Sequence, residues 1–209
     1  MRDNPFMTKA EQPGAGKIFV DILQAIILAL VVNVVIYFLF VVPSQVDGPS
    51  MLPNLHDKDL LFADKVIQWL GQTQIGASLD YNYKRGDIII FDEAEISLVK
   101  RIIAAPGDTI KFENDKIYVN DKVITEKYIS AGVPTHLPSG NLAFLAEGEA
   151  LKIPDNYYFV MGDNRTNSKD SRFKDIGLIP RERIKGKVFI RFWPLEKFGL
   201  IQRGEYIEE

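Results

Sequence analysis

The stretch from Ile18 to Val42, IFVDILQAIILALVVNVVIYFLFVV, holds no lysine or arginine, and only Asp21, Gln24 and Asn33 interrupt it as strongly polar residues. As a helix rising ~1.5 Å per residue it is about 37 Å long, enough to cross a hydrocarbon layer of ~30 Å with some tilt. It is too long for the ~7–15-residue apolar core of a cleaved targeting peptide, and no small-residue A-x-A-like site follows it. A buried core helix would carry a polar stripe, which is missing here. The chain is therefore expected to divide into a short tail (1–17), a retained transmembrane anchor (18–42) and one outer domain (43–209). The tail carries Arg2, Lys9 and Lys17, whereas the stretch just beyond the anchor offers only Lys58. That asymmetry predicts a single-pass protein with its N-terminus in the cytoplasm and residues 43–209 outside. Asp21 can reach the interface, while the mid-span Asn33 either bonds a neighbouring helix or is tolerated at modest cost.

Beyond the anchor the pattern changes to short runs rich in Ile, Val, Phe and Tyr, punctuated by Gly, Asp, Asn and Pro: 59–67, 86–94, 97–104, 108–124, 157–163 and 187–194. This is the signature of a mainly β domain built from antiparallel hairpins, with ENDK (113–116) and VNDK (119–122) as turns. Residues 130–150 are poorer in strand signals and read as a long loop or small excursion. The 209 residues, 46% of them hydrophobic, suffice for one sizeable core. A net charge of −3 gives no broad basic surface, so nucleic acid is not an expected partner. The chain has no cysteine and only two histidines, His56 and His136. A disulfide framework and a thiolate metal site are excluded and a multi-histidine site is not expected, so no metal or cofactor is predicted.

Three stretches could carry chemistry. In VDGPSMLPNL (46–55), Ser50 follows the turn-forming Asp47-Gly48-Pro49; it either ends a turn, caps a short helix, or is a nucleophile. His56, six residues on, sits in LHDKD, which reads as a solvated loop. In SLVKRIIAA (97–105), strand alternation puts Leu98, Lys100 and Ile102 on one face and Val99, Arg101 and Ile103 on the other, so the lysine or the arginine should face an apolar environment. A lysine acting as a base near neutral pH must lose ~3 units from its reference pKa near 10.4, a cost of ~4 kcal/mol, unless it is merely a solvated edge residue. The third stretch, MGDNRTNSKDSR (161–172), is either a polar loop or a brace for a cleft, with hydroxyls, carboxylates and arginines able to orient an amine. The SLVK segment also matches S-x-x-K with Ser97 in front, but that motif needs a helix and companion motifs that this chain lacks.

Taken together and in order, the anchor, GPSMLPNL, RGDIIIF, VKRIIAAPGD, VNDKVI, GDNRTNSKDSR and IKGKVFIRFWP resemble the bacterial type I signal peptidases, also called leader peptidases. The resemblance covers nearly the whole chain. It implies a single N-terminal transmembrane helix followed by an antiparallel-sheet catalytic domain. It implies a membrane-bound serine endopeptidase with a Ser/Lys dyad, Ser50 as nucleophile and Lys100 as general base, removing signal peptides after small residues at −1 and −3. It further implies Ser168 orienting the lysine amine, Asp170 and Arg172 as a supporting pair, Gly162 allowing close packing, and Val46 and Val99 walling the substrate pockets. The eukaryotic reticulum branch has histidine where Lys100 stands, so lysine points to the bacterial branch. There are departures: Gly48 stands where some relatives have an oxyanion-assisting serine, leaving the backbone N–H of Ser50 as the donor, and Ala104 replaces a frequent glycine, while Thr166 falls at a variable position.

The implied partners are signal-peptide-bearing precursors and the lipid bilayer; the sequence does not indicate an oligomeric state. Two other classes compete with this one. A catalytically silent, membrane-tethered β domain that holds secreted chains shares every feature except reactivity at Ser50. The self-cleaving repressors of the DNA-damage response share the Ser/Lys logic but lack an anchor.

Overall fold

The computed structural model describes residues 14–208; Arg2 and Lys9 of the tail lie outside them. Two compact units divide at Leu39 and Phe40. The first is the helix α1, Ala15–Phe40, whose stretch Ala15–Tyr37 is long and apolar enough to cross a membrane and is exposed along its length. Asn33 Nδ2 donates to the Ala29 carbonyl one turn back (3.0 Å), a bond made within its own helix. The helix ends two residues before the apolar run does, because Val41 and Val42 enter the first strand.

The second unit is mainly β, as the alternation predicts. Its strands are β1 (Val41–Gln45), β2 (Leu60–Asp64), β3 (Ile88–Glu93), β4 (Ile96–Ala104), β5 (Thr109–Glu113), β6 (Lys116–Val119), β7 (Lys122–Glu126), β8 (Ala150–Lys152), β9 (Tyr157–Met161), β10 (Ile179–Pro180), β11 (Ile184–Trp193), β12 (Gly199–Leu200) and β13 (Tyr206–Glu208). The larger sheet runs β1-β2-β11-β3-β4-β9-β10, with β12 beside β11; the smaller runs β13-β7-β6-β5-β8. Pairing is antiparallel throughout. The two turns expected at ENDK and VNDK are there: Asn114, Asp115, Asn120 and Asp121 all take positive φ (50°, 60°, 54° and 64°), the backbone of a two-residue hairpin turn matched to strand twist. Residues 127–149 carry no named strand, only a 3-10 turn at Gly140–Leu142 and an isolated bridge from Ala143 to Phe173.

The segment 59–67 differs from expectation. Its strand stops at Asp64 and the chain turns into a short helix α2, Val66–Leu70, followed by α3, Gln74–Ser78. The Asp64 carboxylate accepts the Val66 N–H (2.8 Å), so a residue that reads as mid-strand opens the helix instead.

The centre of the larger sheet is covered on both faces. Ile88 and Ile90 of β3 enter one cluster with Val46, Met51, Leu55, Leu61 and Val99, while Ile89 and Phe91 enter another with Ile102, Tyr158 and Val160. A third cluster joins Ile103 and Met161 to Ile110, Phe112 and Val119 of the smaller sheet. Two-sided burial explains why Ile88–Phe91 of β3 is an unbroken apolar run, with Asp92 and Glu93 following where burial is only partial. It also corrects the expectation that Lys100 or Arg101 alone would be buried: both are, at 3% and 2% exposure. Arg101 is paired. Its guanidinium donates from Nε and Nη2 to the two Asp163 oxygens (2.8 and 2.7 Å) and from Nη1 to the Gly86 carbonyl (2.8 Å), and it lies over the Tyr128 ring.

Removing one partner of such a pair leaves a buried charge without compensation, at a cost of ~3–5 kcal/mol. Asp163→Ala should therefore lower unfolding stability by about that much in denaturant titration, whereas Asp175→Ala, whose carboxylate is exposed, should change it by less than about 1 kcal/mol.

Candidate active site

Ser50 sits in a turn that the local sequence builds. Val46 N–H donates to the Asp59 carbonyl (2.9 Å) and Lys58 N–H to the Val46 carbonyl (2.8 Å), closing the base of the loop. Gly48, at φ 81°, donates its N–H to Asp57 Oδ1 (2.7 Å), and Leu52 N–H returns to the Pro49 carbonyl (3.1 Å). Met51 and Leu55, fully buried, pin the far side of the turn in the apolar cluster. Ser50 itself stays half-buried, its hydroxyl turned to β4.

There it meets Lys100, whose Nζ lies 2.6 Å from Ser50 Oγ. Lys100 pairs with Ile89 across β3–β4 in the covered centre of the sheet. Among the described residues no carboxylate lies in ion-pair range of its amine. Burial, the dominant cause, pushes the amine down from 10.5 to about 8, with the Asp170 and Asp163 carboxylates offsetting part of the effect. A neutral amine within hydrogen-bond reach of a hydroxyl can accept its proton, which is what a serine needs in order to become a nucleophile.

The 161–172 stretch folds back over β9 and braces this pair. Ser171 bonds Val160 in both directions, through Ser171 N–H to the Val160 carbonyl (3.1 Å) and Val160 N–H to Ser171 Oγ (3.0 Å). Asp170, fully buried, accepts the Gly162 N–H (3.0 Å) and two guanidinium donors from Arg172 (2.8 and 2.9 Å). Arg172 extends to the His136 carbonyl (3.0 Å), tying the long loop to the site. Gly162 is where the elements touch: a Cβ there would lie 2.6 Å from the Ser168 Cβ and closer still to Ser168 Oγ and the Ser50 carbonyl oxygen. The residue type follows from that lack of space.

Of the residues singled out in the sequence, Ser50, Lys100, Gly162, Ser168, Asp170 and Arg172 therefore converge. Two details differ from expectation. Ser168 Oγ is buried without a hydrogen-bond partner, so the bond to the lysine amine is not formed here; the hydroxyl packs against Gly162 instead. His56 is half-buried, not a solvated surface residue, with a buried Nδ1 that likewise has no partner, because Asp59 accepts its N–H (2.9 Å) and draws the segment inward. His136 lies elsewhere, exposed and bonded to Asp115 (2.6 Å). Val46 and Val99, at 1% and 6% exposure, belong to the buried apolar cluster with Met51 and Leu55. Among the described residues no group of three or more His, Asp or Glu could hold a metal ion.

Sequence reasoning missed Asn164. Its N–H donates to the Ser50 carbonyl (3.0 Å) and its Nδ2 to the Pro49 carbonyl (3.1 Å), fastening the Ser50 turn from outside. The only signal was its position two residues after Gly162. Asn54 was missed as well; it bridges Asp163 and the Tyr128 carbonyl (2.8 Å each).

The family model described as "Signal peptidase, peptidase S26" matches residues 19–193. Signal peptidase I S of Bacillus subtilis strain 168 is 34% identical over 90% of this chain and 97% of its own length. Signal peptidase I T of the same strain is 37% identical over 84% of each. A crystal structure of a signal peptidase I from Enterococcus faecalis V583 aligns at 29% identity over 51% of this chain and 96% of its own, with a TM-score of 0.40.

The contact at Gly162 yields a direct test. Gly162→Ala must displace either Ser168 or the Ser50 carbonyl, and a shift of about 1 Å at a reacting group costs ~10²-fold in rate. The second-order rate of Ser50 labelling by a hydroxyl-directed probe should fall by about that factor while cooperative unfolding persists.

Proposed function

The chain belongs to the bacterial type I signal peptidases of the peptidase S26 family, and on that premise we propose that Ser50 and Lys100 are the dyad with which it removes signal peptides from exported precursors. The observation that carries this reading is the 2.6 Å approach of a buried, ion-pair-free lysine amine to the Ser50 hydroxyl. With the amine neutral, the hydroxyl proton passes to Lys100 Nζ as Ser50 Oγ attacks the scissile carbonyl. The ammonium so formed returns that proton to the leaving amine, and the signal peptide remains as an ester on Ser50. Lys100 then takes a proton from water as it attacks the ester, and the ammonium passes that proton to Ser50 Oγ as the ester bond breaks, restoring the serine hydroxyl and the neutral amine. The backbone N–H of Ser50 is the oxyanion donor, since Gly48 offers no side chain. Ser168 carries the buried hydroxyl that can take a hydrogen bond from Lys100 once the ammonium forms. Asp170 and Arg172 hold the loop that presents it.

In this reading the precursor lies extended, as an added strand, with alternate small side chains toward the wall that includes Val46 and Val99. A packed wall of branched residues leaves room for a methyl and little more. Helix α1 anchors the enzyme in the cytoplasmic membrane, its N-terminus inside and the β domain that follows it at the outer face, where precursors emerge.

Three outcomes test the dyad. Ser50→Ala and Lys100→Ala should each abolish cleavage of a synthetic precursor while the domain stays folded, and His56→Ala should not. Lys100→Arg should also be inactive, because guanidinium stays protonated. The sign of the pH dependence follows from the direction of the shift. The protonated amine is the inactive form, so kcat/KM should rise with pH and level off above about 8. A rate still climbing at pH 10, or substantial turnover by Lys100→Arg, would remove the amine from the role of base.

Specificity is tested separately. Changing Ala to Leu at the −1 or −3 position of the precursor should lower kcat/KM by ~10²-fold or more, since overpacking displaces the carbonyl from Ser50. Equal cleavage of both peptides would contradict the shallow pockets.

A further inference from the structure

A cleft of 470 Å3 opens beside the nucleophile turn, and neither Val46 nor Val99 lines it. Its walls come from Leu52 and Pro53, just after Ser50, from residues 129–134 of the long loop, and from residues 163–166 after Gly162. We propose that this cleft receives the first residues of the mature chain, those that follow the cut, as a neutral, extended segment. The inference rests on Ser50 being the nucleophile.

Three observations carry it. The first is position. An extended substrate crossing Ser50 has chain on both sides of the scissile bond. If its signal-peptide half lies toward Val46 and Val99, the other half must leave past residues beyond Ser50. The cleft begins there, at Leu52, two residues on.

The second is attachment. Asn164 lines the cleft and also donates to the Ser50 carbonyl (3.0 Å) and the Pro49 carbonyl (3.1 Å). The wall is thus fastened to the nucleophile turn by two hydrogen bonds, so a side chain held in the cleft is held in register with Ser50 Oγ. Binding energy gained there is available to orient the scissile carbonyl, the way remote contacts raise kcat as well as lowering KM.

The third is chemistry. Leu52, Pro53, Ile129, Ala131, Val133 and Pro134 make most of the surface apolar. The two charged residues in the lining are already committed: Asp163 to Arg101, and Arg165 to Glu126 in a bidentate pair, with a further bond from Arg165 Nε to the Gly162 carbonyl (3.1 Å). The remaining polar groups, Ser130, Asn164 and Thr166, are uncharged. An apolar or small side chain gains by entering such a surface, whereas a carboxylate or ammonium would lose hydration without finding a partner. The mature residues bound here are therefore neutral ones.

Two synthetic precursors decide the matter, with the full chain in detergent micelles. Both share the segment from −6 to −1; one ends as an amide after +1, and the other continues through neutral residues to +5. For the wild type, kcat/KM should be about tenfold higher for the longer peptide. A longer peptide with Asp at +2 should lose most of that gain. In Ala131→Trp, which fills the cleft from the exposed long loop, the long-to-short ratio should fall to about one, and Ala131→Ser should keep it. Thr166→Trp, from the other loop, gives the same reading if Ala131→Trp does not fold. A wild-type ratio near one, or an undiminished ratio in the folded tryptophan variant, would overturn the proposal. Failure to cleave either peptide, or cleavage that survives Ser50→Ala, would count against the dyad instead and so is distinguishable from failure of the cleft.

Discussion

Two adjacent cations, Lys100 and Arg101, lie in a strand covered on both faces, and the rest of the site depends on how differently they are treated. Burying an ionised group without a partner is far costlier than burying a paired or neutral one. Arg101 cannot deprotonate, so it has to be paired, and Asp163, Gly86 and the Tyr128 ring supply that environment. Lys100 can release its proton. With no ion-pair carboxylate among the described residues it is pushed toward the neutral amine, and its nearest hydrogen-bond partner is a hydroxyl. The same strand thus holds a paired guanidinium at one residue and, at the next, an amine whose proton affinity burial lowers.

The Arg101 pair and the Lys100 amine are linked through one loop. Asp163, the partner of Arg101, is flanked by Gly162, which packs against Ser168 and the Ser50 carbonyl, and by Asn164, which bonds to the nucleophile turn. The neighbouring Arg165 is tied to Glu126 at the end of β7, and Asp170 returns to the Gly162 N–H. A chain of paired charges therefore runs from the smaller sheet through the 161–172 loop to Ser50. Each is buried and already partnered, so little freedom remains for the nucleophile turn to drift away from the amine. The proposed proton transfer over 2.6 Å would depend on that fixed approach.

Much of this was legible in the residue order. The run from Ile18 announced a long apolar helix, because a helix satisfies its own backbone groups in a hydrocarbon layer, although its last two residues, Val41 and Val42, went to β1. Asn-Asp pairs at 114–115 and 120–121 announced their turns, since those residue types tolerate the positive φ such turns need. Segment 59–67 was misread, because β-branched and aromatic residues alone do not separate a strand from one turn of helix; the Asp64 carboxylate meeting the Val66 N–H decided it. Ser50, Lys100, Gly162, Asp170 and Arg172 stood out as residue types in ordered motifs, and they do come together.

The sequence by itself determined the periodicities, and with them an apolar helix ahead of an antiparallel β domain and the residue types available for chemistry. Only the tertiary structure decided which hydroxyl meets which amine, that both Lys100 and Arg101 are buried, that Ser168 Oγ lacks a partner, and that Asn164 grips the turn. Periodicity is a local property, set by side chains a few positions apart. Burial, pairing and proton affinity depend on groups brought together from 50 to more than 100 residues away, as with Ser50 to Lys100 and Pro49 to Asn164, and only the folded domain puts them within bonding distance.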